Sequence, residues 1–226
     1  MGGQSQTGRL LEPVSVGVEQ VLVLVPGVNE YDGMRDATIF SENDNSDGAG
    51  QHFFAGITGQ RNERRALIRF DPSKIPAKSK IVAVSLQLTV SRGRTPPAEI
   101  NVDMHRLLKD WGEGDKDSGG NEGTGKPSTE GDATWKANFF MKTTWDHPGA
   151  DFVEAVSATS KAGKTGSKSL WEGDGLIADV QAWVNGDVEN FGWILIGDAS
   201  TRRFNSSESL APAEFRPTLT IHFTPP

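Results

Sequence analysis

The turn Asn43-Asp44-Asn45-Ser46-Asp47-Gly48 carries an oxygen-bearing side chain at five consecutive positions. A loop of this kind wraps a hard cation, and Ca²⁺ takes roughly six to eight oxygens from carboxylates, amides and carbonyls. The helix–loop–helix calcium loop is excluded: its first position here is Asn43 rather than Asp, and its last is Phe54 rather than a bidentate Glu. A looser site on a β-rich scaffold is the remaining expectation, with Asn43, Asp44, Asn45 and Asp47 as ligands and Ca²⁺ as the cofactor. The competing reading is an exposed hairpin loop rich in turn formers. A second acidic stretch, with Glu113, Asp115, Asp117, Asn121 and Glu122, offers five oxygen donors able to wrap a hard cation, with a solvated loop as the preferred reading.

Six tryptophans offer a different chemistry, because sugar rings stack on exposed aromatic faces. Trp183 and Trp193 fall in apolar periodic settings and are expected in the core. Trp111, Trp135, Trp145 and Trp171 border polar loops, so each is a candidate sugar platform with an indole N–H as an extra donor. The alternative places them at the ends of the fold, where a large amphipathic ring suits a half-wet position. Arginine forks grip carboxylates through two parallel hydrogen bonds. Arg202 and Arg203, read as part of a late loop, are candidates to line a binding surface for a uronate polymer, whereas Arg64, Arg65 and Arg69 are expected on a strand, paired with nearby acids.

Catalytic signatures are missing from the sequence. His52, His105, His147 and His222 are scattered without zinc-site spacing, and no nucleophile elbow or phosphate-binding loop occurs. His105 and His222 read as solvent-facing residues on strands. The only tyrosine is Tyr31. Carboxylates are plentiful, but abundance is not geometry. With 30 acidic against 23 basic residues the net charge is −7, which disfavours nucleic acid and anionic membranes as partners. There is no cysteine, hence no disulfide, and no apolar run approaches the roughly 20 residues of a membrane span.

Period-2 patterning dominates the elements that must position these residues. Val82, Val84, Leu86, Leu88 and Val90 alternate with polar or small residues, as do Ile100, Val102 and Met104, Leu219, Ile221 and Phe223, and Ala66, Ile68 and Phe70. Val16–Val25 and Phe191–Ile196 are apolar on both faces, which predicts covered strands. One segment breaks the rule: Leu176, Ile177, Val180, Trp183 and Val184 follow a helical period, with Asp174 as N-cap and Gly186 as stop, predicting a helix over about 175–186. The Gly-rich stretch Gly112–Asp132, bracketed by Trp111 and Trp135, reads as a long functional loop of one domain. The expectation is an all-β sandwich with one short helix and long polar loops, residues 1–30 forming an N-terminal arm and first strand, and residues 31–226 the sandwich.

Several pieces occur in a fixed order: DATIFSENDNSDGAGQHFFAG, RRALIRFDPSKIPAKSKIVAVSLQLTV, MHRLLKDWGEGD, GDATW, VQAWVNG, FGWILIGD, RRFNSSES and RPTLTIHF. From Asp36 to Thr224 this order resembles the DNRLRE-type domain family. The resemblance implies a jelly-roll-type β-sandwich that is extracellular and non-enzymatic, found in surface and secreted proteins, some relatives of which are grouped with carbohydrate-binding modules for acidic polysaccharides. It has no agreed catalytic residues to carry over. The sequence begins without a signal peptide's basic region and apolar core; the resemblance favours a cell-surface or extracellular setting with the leader replaced. Two partners follow as expectations, an extracellular polysaccharide or a second copy of the chain joined through the N-terminal arm, whose strand-like Val14–Val25 would add to an open sheet edge.

Overall fold

The computed structural model describes residues 17–93 and 96–226. The polar leader Met1–Leu11 and the start of the expected first strand lie outside the described residues. The alternating segments become antiparallel strands: β1 (Gln20–Leu24), β2 (Met34–Phe40), β3 (Asn45–Asp47), β4 (His52–Ile57), β5 (Glu63–Phe70), β6 (Lys80–Gly93) and β7 (Ile100–Arg106) come first. After them come β8 (Lys126–Pro127), β9 (Ala158–Ala162), β10 (Lys168–Glu172), the helix α1 (Asp174–Asn185), β11 (Trp193–Gly197), β12 (Arg202–Asn205) and β13 (Thr218–Thr224). Hydrogen bonding runs continuously through β1-β13-β6-β12-β4-β5-β11-β7-β9, with β10 on the other side of β6 and β2 beside β5. The sheet therefore curls. One layer holds β1, β13, β6 and β10, the other β2, β5, β11, β7 and β9, and the short β12 joins them by pairing with both β6 and β4. This is an all-β, sandwich-like fold.

Between the layers lies the main core. Val84, Leu86, Leu88 and Val90 of β6 and Leu219 and Ile221 of β13 face Ala66, Ile68 and Phe70 of β5 and Leu195 of β11. Leu176, Val180 and Trp183 of α1 close it. The alternation in β6 slips once. The pairing with β13 shifts register between His222 and Phe223, so Ile81 is buried and Val82 turns outward, contrary to the sequence pattern. The helix begins one residue early, with Gly173 rather than Asp174 at the cap position. Asp174 instead sits in the first turn, where a negative charge complements the exposed amides. Gly186 ends the helix at φ 76, and the amides of Gly186 and Asp187 bond the carbonyls of Trp183 and Ala182 at 3.0 and 2.9 Å.

The second layer is buried on its far face as well. Ala37, Ile39, Leu67 and Ile194 pack there against Leu107, Trp111, Ala133, Trp145 and Ala150. The covering side comes mainly from the connection 107–157, which forms a third layer over the sheet, its buried apolar residues flanking the stretch Gly112–Asp132 that reads as a long loop. It satisfies its own backbone, with Gly112 N–H donating to Asn138 O (2.9 Å), Ala133 N–H to Gly112 O (2.7 Å) and Phe140 N–H to Asp132 O (2.7 Å). That cover explains why β11 is apolar on both faces. It also corrects the reading of His105, which is buried, with Nδ1 at 3.0 Å from Val153 O and its ring tilted against Phe152. β1 is corrected in the opposite sense: among the described residues it pairs only with β13, at the margin of the sheet, and Val21 and Val23 are half-exposed. No helix among the described residues is long and apolar enough to cross a membrane.

Candidate functional site

Where β12 bridges the two layers, one row of residues crosses three strands. Arg203 of β12 stands opposite Phe54 of β4 on one side and opposite Arg92 of β6 on the other. Like charges set directly opposite on neighbouring strands repel. Neither guanidinium meets a carboxylate within 4 Å among the described residues; Arg92 Nη1 donates to Asn121 Oδ1 (2.9 Å) and Arg203 Nε to Ser91 Oγ (3.0 Å). Burial lowers the Arg203 guanidinium from its ordinary value; the attraction of Glu122 opposes this and the repulsion of Arg92 adds to it. The row opens into a cleft of about 600 Å³ that Phe54, Thr58, Arg64, Arg92, Asn121 and Arg203 help to line. Arg64 is neutralised there, its fork bonding both oxygens of Glu42 at 2.6 and 2.5 Å and its Nε reaching Gly123 O. Two guanidiniums without an ion-pair partner among the described residues, beside an aromatic edge and several amides and hydroxyls, suit an anionic, hydroxyl-rich ligand.

One wall of the cleft is the strap of residues 113–124 from the long connection. Gly48 and Ala49, just after β3, donate their amides to Lys116 O at 3.0 and 2.9 Å. Gly48 passes so close beneath the Glu113 carbonyl that a Cβ has no room. Asp47 accepts from Ser118 Oγ at 2.7 Å, and Glu122 turns inward to His52 Nδ1 at 3.0 Å. Burial pushes Asp47 up to about 6. Asn121 and Gly123 are thereby carried into the cleft.

Three of the four residues expected to bind cations have hydrogen-bond partners in the protein, and Asp44 has an ion-pair neighbour only. Asn43 Oδ1 accepts the Asn45 amide (2.9 Å), Asn45 Nδ2 donates to Thr124 O (2.8 Å), Asp44 Oδ1 faces Lys136 Nζ (3.4 Å), and Asp47 is held by Ser118. Among the described residues no group of three or more His, Asp or Glu side chains converges as a cation needs. Through Asn45 and Asp47 this turn docks the strap, while Asp44 Oδ1 is buried without a hydrogen bond.

Three of the four candidate platforms are corrected outright. Trp111 and Trp171 are 0% exposed and Trp145 4%. Each indole N–H donates to a carbonyl, Trp111 to Phe191 O (2.9 Å), Trp171 to Val102 O (2.8 Å) and Trp145 to Thr134 O (2.9 Å). A sugar cannot reach a ring packed on both faces. Trp135 is half-buried, and the Arg65 guanidinium lies over it at 4.6 Å. Arg202 is likewise corrected: it lies in a strand rather than a loop, is 0% exposed, and donates to Ala162 O, Gly163 O, Ser200 O, Ser200 Oγ and Pro97 O. Arg203 alone of the nominated pair reaches the cleft. The strand arginines pair as expected, Arg64 with Glu42, Arg65 with Glu63 and Arg69 with Asp110. Sequence reasoning missed Arg92 and Phe54, and read Asn121 only as part of the second acidic stretch. The polar residues Ser91 and Arg92 at the end of β6 were the visible signal, and their meaning depends on the register of β12.

No protein-family model matches the chain, and no curated protein matches it in sequence. The likeness to DNRLRE-type domains therefore rests on the order of the quoted motifs.

Proposed function

We propose that this chain is a non-catalytic extracellular module that binds an acidic polysaccharide, its sugar carboxylates seated between Arg92 and Arg203. The observation that carries the reading is the opposed arginine pair, without an ion-pair partner among the described residues, in a cleft of an otherwise acidic protein. A uronate carboxylate relieves the repulsion and accepts from both forks. Phe54 offers an apolar edge to the sugar ring, and Asn121 and Thr58 offer groups for its hydroxyls. The motif order shared with DNRLRE-type domains agrees with a surface or matrix setting. A non-catalytic role is supported by the histidines, each engaged in a separate region: His52 with Glu122, His105 with Val153, His147 with Asp151 and His222 with Glu19. Titration calorimetry with oligomers of a uronic acid and of the matching neutral sugar tests the proposal. Binding of the acidic series alone, weakening as salt rises, supports it; equal binding of both series, or of neither, refutes it.

Self-association through the N-terminal arm is the second reading, favoured by one feature. The outer edge of β1 meets no partner strand among the described residues, and Val21 and Val23 are half-exposed beside it. Sedimentation over a wide concentration range checks it, and a strictly monomeric protein counts against it.

A further inference from the structure

The Ser207 hydroxyl has one hydrogen, yet its oxygen lies 2.7 Å from Asp36 Oδ2 and 2.7 Å from Glu208 Oε2. Ionised carboxylates only accept. Both contacts exist together only when one of the two carboxyls keeps a proton and donates it to Oγ. The same Asp36 oxygen accepts the Ser207 amide (2.8 Å), and the Asp36 amide donates to Glu113 Oε1 (2.8 Å). Three parts of the chain meet here: β2 through Asp36, the strap through Glu113, and the turn after β12 through Ser207 and Glu208. Asp36 is 2% exposed. None of the ion pairs among the described residues involves Asp36, Glu113 or Glu208. The other charged groups facing the cluster are Arg35 of β2, whose fork pairs with Asp110 at 3.1 Å, and Glu30 and Asp32, which share a recess of about 420 Å³ with Glu208 and Tyr31.

We propose that a proton shared among Asp36, Ser207 and Glu208 is the clasp that seats Glu113 and the strap on β2, so that the cleft wall is firm in mild acid and loosens as pH rises. This rests on the reading of the cleft as a binding site, because the strap carries Asn121 and Gly123 to it. The direction follows from the surroundings. Burial, then Glu208 and Glu113, raise Asp36 well above the usual carboxylate range, and burial raises Glu208 as well. Burial pushes Glu113 up to about 7 against an ordinary 4.5. A group raised on folding stabilises fully below its unfolded value, and the stabilisation disappears as pH rises through the folded value. The window for Glu113 therefore runs from 4.5 to about 7.

Hydrogen exchange of the full chain at pH 5 and pH 8, corrected for intrinsic rates, tests the clasp. Protection of the amides of residues 113–123 is expected to fall by about tenfold or more, one pH unit of linkage being tenfold, while β6 amides are unchanged. Glu208→Gln supplies a permanent amide hydrogen to Ser207 Oγ, whose own hydrogen then goes to Asp36 Oδ2, and should shrink the pH dependence of the strap to the part that Glu113 contributes; where that variant fails to fold, Glu208→Ala, which leaves the Ser207 hydrogen to Asp36 alone, serves. Strap protection independent of pH in the wild-type chain overturns the proposal. Oligouronate affinity, measured in parallel with a ligand that stays ionised throughout, separates the two ideas. Polymer binding with a pH-independent strap leaves the cleft reading standing and removes the clasp. A pH-dependent strap with no polymer binding at either pH supports the clasp and removes the cleft reading.

Discussion

Replacing Arg202 by Ala separates a buried structural arginine from the ligand-binding one that its sequence setting implies. The side chain is wholly buried and donates to four carbonyls and the Ser200 hydroxyl, tying β12 to residues 97, 162, 163 and 200. Each carbonyl left without a donor costs about 1–3 kcal/mol. Removing the guanidinium also removes its own desolvation, several kcal/mol of the opposite sign, so the net loss is about 3–5 kcal/mol. At about 2–4 °C per kcal/mol for a chain of this size, the melting temperature falls by about 6–20 °C. Thermal and urea unfolding read this directly, and Arg202→Lys, which reaches fewer of the acceptors, should fall between Ala and wild type. A variant that melts within about 2 °C of wild type, less than 1 kcal/mol, yet loses polymer binding would refute the structural assignment and restore Arg202 to the binding surface.

Trp111→Ala removes an indole that fills the outer core beneath the long connection and bonds Phe191 O, so a loss of about 3–5 kcal/mol is expected in urea unfolding with affinity per folded molecule unchanged. Normal stability with lost sugar binding would mark it as a platform after all. Because Asn43 holds the Asn45 amide and Asp44, Asn45 and Asp47 are engaged with Lys136, Thr124 and Ser118, adding millimolar calcium or a chelator should move the melting temperature by less than about 1 °C. A larger calcium-dependent shift would show that the turn rearranges around the ion.

Legibility in the sequence followed periodicity. β6, β7 and β13 announce themselves by alternation, and α1 by a helical period ending at Gly186; both patterns are enforced by a face that has to enter the core. β11 reads correctly as covered on both sides, but its cover does not. In residues 107–157 the apolar contacts come from Leu107, Trp111, Ala133, Trp145 and Ala150, irregularly spaced among glycines and acids with no period to detect. Indoles bordering polar residues in the chain are therefore not at the border in space. β12 is only four residues, RRFN, too short and too polar to read as a strand, and this hid both the burial of Arg202 and the apposition of Arg203 with Arg92. The slip at Val82 is invisible for a related reason: a bulge is fixed by the partner strand, here β13. The cleft and the acid clasp share this character, since each joins side chains far apart in the sequence through registers that no local pattern encodes.

The most direct measurement of the central claim is calorimetric titration of an oligouronate into wild type, Arg92→Ala, Arg203→Ala and the double variant, with Arg65→Ala as a control outside the cleft. A charge-assisted hydrogen bond to a carboxylate contributes about 1.5–3 kcal/mol. Each single variant should therefore weaken binding by about ten- to a hundredfold, with the double variant below detection, the control unchanged and all proteins folded. Undiminished affinity in a folded double variant would contradict the account.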